Sequence, residues 1–189
     1  MFRSLFKRPL SRKELIEQLG SRHNQTALKA ANELREMLCF QDGSMHGVNL
    51  RNANLTRVRL ARASLKHALL QEATLTYCYF GASDLQSANL EGADLREANL
   101  REINLADAHM KHADLGGAHM AKADLRGANL GAANLQGVNL WQAQLQAVNL
   151  EGANLTNANL DGATFNTHSV MPDGTYWSPD TDLSVYIKG

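Results

Sequence analysis

The sequence predicts an all-β solenoid, a rod of stacked parallel coils, with two helices at its N-terminal end. Three observations carry that class. From Val48 to Phe165 every fifth residue is Leu, replaced only by Phe80, Met110, Met120 and Phe165, and the frame never slips. Two residues before each of these sits Ala, replaced only by Val48, Val58, Cys78, Ser83, Ile103, Val138 and Val148. A helical period is confined to residues 11 to 38, ahead of that frame.

Taken in chain order, the first ten residues, MFRSLFKRPL, are basic, with Phe2, Leu5 and Phe6 between the charges. They lack the unbroken apolar run of a signal peptide. They read as a lightly packed terminus ahead of Pro9, with a surface-membrane anchor or organellar address as the less favoured reading. A first helix follows, because Ser11 and Glu14 have capping-box spacing, Leu15, Ile16 and Leu19 form an apolar side, and Gly20 supplies a stop. A second begins near Asn24, where Ala27, Leu28, Ala31, Leu34 and Leu38 recur at helical spacing. Gln41, Asp42 and Gly43 then form a turn.

The five-residue period fits neither regular element. Five residues rotate an α-helix by about 500°, so successive leucines land about 140° apart and form no stripe. In a straight strand the Ala and the Leu share a face, but the next Leu falls on the opposite one because five is odd. Both columns stay inside only if a short extended step, Ala to Leu, is followed by a corner. Coils built this way stack through their backbones at about 4.8 Å per turn. The exceptions to Ala sort into columns at least as neatly with a period of 15 as with one of 20, so the residues leave the number of sides open.

Open β edges at the two ends of such a rod invite aggregation and need covers. The two helices are placed over the first coil. The tail is placed over the last, with turns at Pro172, Asp173 and Gly174 and at Ser178, Pro179 and Asp180, and with aromatic Tyr176 and Trp177 between them. A dimer contact is the alternative reading of the tail. The expected division is an N-terminal segment with two capping helices (1–43), the repeat rod (44–165) and a capping tail (166–189).

The run GADLREANLREINLADA, and with it residues 46 to 165, resembles the pentapeptide-repeat family, whose motif is A(D/N)Lxx. The resemblance implies a right-handed quadrilateral β-helix with four repeats per coil. The repeats centred on Leu50 through Phe165 number 24, hence about six coils, a rod of about 29 Å at the spacing above. The segment VMPDGTYWSPDTDL is similar to tails of bacterial members, especially photosynthetic ones. Some members of the family bind DNA gyrase by imitating the shape and negative charge of duplex DNA. That role is the alternative function implied here, and the basic first coil departs from its pattern.

The totals narrow the function classes. Lys plus Arg and Asp plus Glu both number 19, and zero net charge argues against a dedicated nucleic-acid binder or a wholly acidic mimic. No run approaches the roughly 18 apolar residues needed to span a bilayer. Cys39 and Cys78 lie far apart without a metal-ligand pattern, which suits a reducing cytoplasm. No catalytic, cofactor-binding or metal site is expected. Ala and Leu fill the bore, and Ser83, its one hydroxyl, has only backbone within reach. The Asn or Asp before each Leu is read as bonding its own corner or pairing along the rod. His109, His112 and His119 suggest a metal site, but no third ligand converges on the first two.

The expected function is a non-enzymatic protein-binding or scaffold module. Its binding wall is drawn from the least monotonous side: Arg59, Arg62, Tyr79, Arg101, Glu102, His119, Lys122 and Trp141. With a period of 20, Arg59 would lie beside Tyr79 for a cation–π contact, Glu102 beside Lys122, and Trp141 would stand exposed beside Ala121 and Asp161. Arg51, Arg57, Arg59, Arg62 and Lys66 make the first coil basic. A protein partner is expected, with no direct nucleic-acid contact. The sequence leaves monomer or dimer undecided.

Overall fold

The computed structural model describes residues 9–188, so the reading of the basic first segment lies, but for Pro9 and Leu10, outside the described residues. Its order is α1 (Arg12–Leu19), α2 (Asn24–Glu36), the repeat rod, and α3 (Ser184–Ile187).

The rod settles the number of sides. Asn49 pairs with Leu69, Asn54 with Thr74, Arg59 with Tyr79 and Ser64 with Asp84, all parallel and all 20 residues apart. Each coil therefore has four sides. Each side is a single bridge rather than a long strand, because a corner follows at once. A turn from Leu50 to Ala53, closed by Ala53 N–H donating to the Leu50 carbonyl at 3.1 Å, shows the corner's form. Its third residue, Asn52, has φ 57°, the signature of a type II turn. The coils join through pairs such as Leu50 N–H to Leu69 O (2.8 Å) and Leu69 N–H to Val48 O (2.9 Å). From Leu50 to Leu155 no member of the fifth-position column exceeds 1% exposure. Each such leucine contributes about 1.5–3 kcal/mol by leaving water.

Both helical expectations hold in outline, with two differences. The capping box of α1 is present, with Glu14 N–H donating to Ser11 Oγ and Ser11 N–H to Glu14 Oε2. Gly20 ends α1 with φ −73°, so the position uses the missing side chain rather than a left-handed backbone. A Cβ there would come within 3.1 Å of the Asn49 carbonyl oxygen. The second difference is Leu38, expected on the buried stripe of α2. The helix stops at Glu36, and Leu38 follows with φ 55° and 84% exposure. Cys39 N–H donates back to Leu34 O and Leu38 N–H to Arg35 O, a Schellman ending with leucine where glycine is usual.

The helices meet the first coil through specific bonds. Asn54 N–H donates to Ser21 O, Asn24 Nδ2 to the carbonyls of Asn54 and Thr56, Arg35 Nη2 to Arg59 O, and Ser64 N–H to Phe40 O. At the other end the chain continues the ladder through Val170, which pairs with Asn149 and, antiparallel, with Tyr176. Phe165 and Trp177 stack with centroids 6.1 Å apart. The tail, expected as loop alone, ends in the helical turn α3, where Asn157 N–H donates to Ile187 O and Tyr186 Oη to Asp173 Oδ2. The expected turn at Pro172–Gly174 is closed by Gly174 N–H to Met171 O.

Two stability measurements check this packing. Leu105→Ala, in mid-rod, should lower the unfolding free energy by about 2–5 kcal/mol in urea titrations, because the coils above and below cannot collapse onto the cavity. Leu38→Gly should raise it by about 1 kcal/mol, since an L-residue resists the left-handed backbone and this side chain packs on little.

Candidate functional site

The third side carries the ladder Arg59, Tyr79, Asn99, His119, Asn139 and Asn159. The corner that follows it holds Arg62, Arg101, Glu102, Lys122 and Trp141. All eight residues singled out from the sequence therefore share one side and one corner. Regular backbone places them: Lys122 N–H donates to Trp141 O at 2.8 Å, and Trp141 N–H to Asn139 Oδ1 at 3.0 Å.

Their mutual contacts differ from expectation. Arg59 and Tyr79 are backbone bridge partners, but the Tyr79 ring lies over Gly81, where a Cβ would meet its Cζ at 3.6 Å. The cation–π contacts form elsewhere: Arg57 over Tyr77 (5.8 Å), Lys122 over Trp141 (5.4 Å) and Arg35 over Phe40 (5.9 Å). Lys122 thus turns its ammonium to Trp141 rather than to Glu102. Trp141 keeps 38% exposure, and Ala121 beside it is buried. Aromatic–cation pairs consequently flank the third side at both of its corners.

The structure adds residues that sequence reasoning missed. The end of α2 abuts the first coil at this side, leaving a cavity of about 590 Å³ lined by Arg35, Phe40, Arg59, Ala61 and Tyr79. A neighbouring hollow of about 300 Å³ adds Leu38, Gln41 and Arg62. The basic first coil was visible in the sequence, but no residue pattern says against which side a preceding helix ends.

Ion pairing is uneven around the rod. On the second side Arg96 holds Asp94 through two bonds (2.8 and 2.6 Å), and on the fourth Arg126 holds Asp124 in the same way. In both cases the guanidinium bond keeps the carboxyl below its ordinary value of 3.8. Lys66 reaches Asp84 at 3.2 Å. By contrast, Arg35, Arg59 and Arg62 have no carboxylate within 4.0 Å among the described residues.

The remaining candidates are absorbed by the scaffold. Ser83 Oγ donates to Leu60 O (2.6 Å) and accepts from Ala63 N–H (3.2 Å). Asn and Asp before the leucines accept from the N–H two residues on, as in Asn89 to Glu91 (3.0 Å). Some also pair along the rod, as in Asn134 Nδ2 to Asp114 Oδ1 (2.8 Å). His109 lies on the first side, His112 at the corner after it and His119 on the third, so the three do not converge. Among the described residues no group of three or more His, Cys, Asp or Glu is placed to hold a metal ion. Burial pushes the Cys78 thiol far above its ordinary value, which removes it as a nucleophile at neutral pH.

The outward ladder of Asn and Asp, the inward Ala and Leu and the four-sided coil together are distinctive. The family model for pentapeptide repeats matches this chain in 8 copies, over residues 44–76, 63–102, 103–142 and 143–166. The chain belongs to the pentapeptide-repeat family. Pentapeptide-repeat proteins fold as right-handed quadrilateral β-helices, and such proteins are generally structural or binding modules. Among solved structures, this pentapeptide-repeat chain is similar to Rfr23, a pentapeptide repeat protein from the cyanobacterium Cyanothece 51142, at 35% identity over 64% of this chain and 65% of that one (TM-score 0.31). A pentapeptide repeat protein from the Arabidopsis thaliana thylakoid lumen is 28% identical over 59% of this chain and 72% of its own (TM-score 0.44). QnrB1, a plasmid-mediated fluoroquinolone resistance protein, is 21% identical over 68% and 65% (TM-score 0.52), a likeness of fold alone. The chain thus spans just under two thirds of the length of Rfr23 and of QnrB1. No curated protein matches it. Among the described residues no helix is long and apolar enough to cross a membrane.

The depressed carboxyls of Asp94 and Asp124 predict an acid-sensitive rod. A folded pKa below the unfolded one contributes stability that is complete above the unfolded value and is lost as pH falls through the folded value. Urea titrations should therefore show stability dropping below about pH 4, the ordinary carboxylate range. A double variant, Asp94→Asn with Asp124→Asn, should show a shallower drop over the same range. An identical acid profile in wild type and variant would contradict the assignment.

Proposed function

We propose that this pentapeptide-repeat protein is a non-enzymatic binding module of six coils, covered by α1 and α2 at one end and by the tail at the other, that presents its third side to a protein partner. The observation that carries this reading is the gathering of Arg59, Tyr79, His119, Lys122 and Trp141 on one side of the rod and the corner that follows it. The second and fourth sides, by contrast, hold carboxylates neutralised by bidentate arginines. Tyr, Trp and Arg are the residue types that dominate protein interfaces. A rigid backbone also loses little entropy on binding.

A DNA-mimicking modulator of gyrase would need uncompensated negative charge along a side. The fold likeness to QnrB1 carries no such charge pattern with it. Here Asp94 and Asp124 are paired, and the first coil is basic.

Crosslinking in a native extract tests the wall. A discrete partner should be captured, and both Trp141→Ala and Arg59→Glu should reduce capture at least about fivefold, as loss of an interface anchor does. Capture unchanged by either variant would remove the third side as the wall. Purified protein added in large excess should leave gyrase supercoiling unaffected, and inhibition would revive the mimic reading.

A further inference from the structure

We propose that the groove between the end of α2 and the third side is a docking site for an extended acidic segment of a protein partner, one that carries a bulky apolar side chain. This rests on the protein-binding reading of the third side and assigns a chemistry to its partner.

Charge is the first argument. Arg35, Arg59 and Arg62 line adjoining hollows and have no carboxylate within 4.0 Å among the described residues. Arg35 is held in place, with Nη2 donating to Arg59 O (2.6 Å), Nη1 to Asn32 Oδ1 (3.1 Å), and its guanidinium over Phe40. A positioned guanidinium of this kind meets a carboxylate at low entropic cost.

Apolar surface is the second. Leu38 is 84% exposed, and its φ of 55° makes it the one aliphatic residue larger than Ala among the described residues with a left-handed backbone, the others being polar, aromatic, Ala or Gly. Glycine would suit that backbone better, so the isobutyl group gains nothing in the isolated chain. Tyr79, 44% exposed, lines the larger hollow next to the one Leu38 lines, and the buried Phe40 lines both. Phosphate backbones give an isobutyl group nothing to pack on, which favours a peptide over a nucleic acid.

The backbone is the third. On the second side of the first coil Asn54 N–H is taken by Ser21 O, and on the fourth Ser64 N–H by Phe40 O. Arg59, between them on the third side, gives its carbonyl to Arg35, while its N–H has no protein acceptor among the described residues. An extended peptide lying in the groove supplies that acceptor from its own carbonyl, in the manner of a strand added to a sheet edge.

Fluorescence anisotropy with the full chain tests this. The probe is a short fluorescein-labelled peptide in which Asp and Glu flank a Phe and a Leu. The controls are the same peptide with Lys in place of the acids, the same peptide with Ser in place of Phe and Leu, and a labelled DNA duplex. The acidic apolar peptide should bind, and each peptide control should bind at least about tenfold more weakly, equivalent to about 1.4 kcal/mol. Arg62→Glu and Leu38→Gly should each weaken binding at least about fivefold, whereas Trp141→Ala, outside the groove, should not. Leu38→Gly keeps or raises the unfolding midpoint, so lost binding in that variant is not lost folding. Equal binding of the Lys or Ser control, unaltered affinity in either groove variant, or tighter binding of the duplex would overturn the proposal. If partner capture depends on Trp141 while the acidic peptide does not bind, the groove fails and the wall stands. If the peptide binds and capture depends on Arg59 but not on Trp141, the groove stands and the wall beyond it fails.

Discussion

The left-handed residue at every corner is the constraint on which the rest of the rod depends. From Asn52 to Gly162 each third turn residue has φ between 55° and 70°. Of these 23 positions only Gly92, Gly117, Gly127, Gly137, Gly152 and Gly162 are glycine, so most corners hold an L-residue in a conformation it resists. What holds it is the next coil: the N–H of Asn52 donates to Gln71 O at 3.0 Å, and that of Arg57 to Thr76 O at 3.0 Å. Where an Asn or Asp precedes the Leu, it adds a second lock by accepting from the N–H of the second turn residue. A single coil would not sustain these corners, and stability is therefore a property of stacked neighbours.

This economy divides the surface from the interior. Inside, two of every five positions admit little beyond Ala and Leu, and even Ser83 is accepted only because Leu60 O and Ala63 N–H satisfy its hydroxyl. Outside, the corner positions are chemically free once their backbone is held. Specific recognition can then be written by outward substitution on one side without disturbing the fold. The third side has such substitutions, with Arg59, Tyr79 and His119 where most repeats carry Asn or Asp, and Trp141 at its corner.

The ends of the rod contribute in another way. Helix α2 supplies Arg35 and the Phe40 loop to the first coil, and the same bonds that satisfy an open edge also build a hollow beside Arg59. The residues that bond α2 to the first coil thus also line the groove proposed above. The C-terminal end differs, with a pairing of Val170 with Tyr176, the Phe165–Trp177 stack and the turn α3.

Much of this was legible in the residues. The unbroken frame excluded both regular elements and required a corner after every short step, the Ser11–Glu14 spacing marked the start of α1, and Ser83 and the Asn ladder were correctly read as bonded to backbone. The sequence by itself determined what lies inside and what lies outside, because the spacing of apolar residues along the chain decides that directly. Only the tertiary structure decided the four-fold register, the exposure of Leu38, the pairing of Lys122 with Trp141 and the side against which α2 ends. Those depend on how far each corner rotates the chain and on which residues 20 apart then meet, and coils of three sides or of four bury the same Ala and Leu columns equally well.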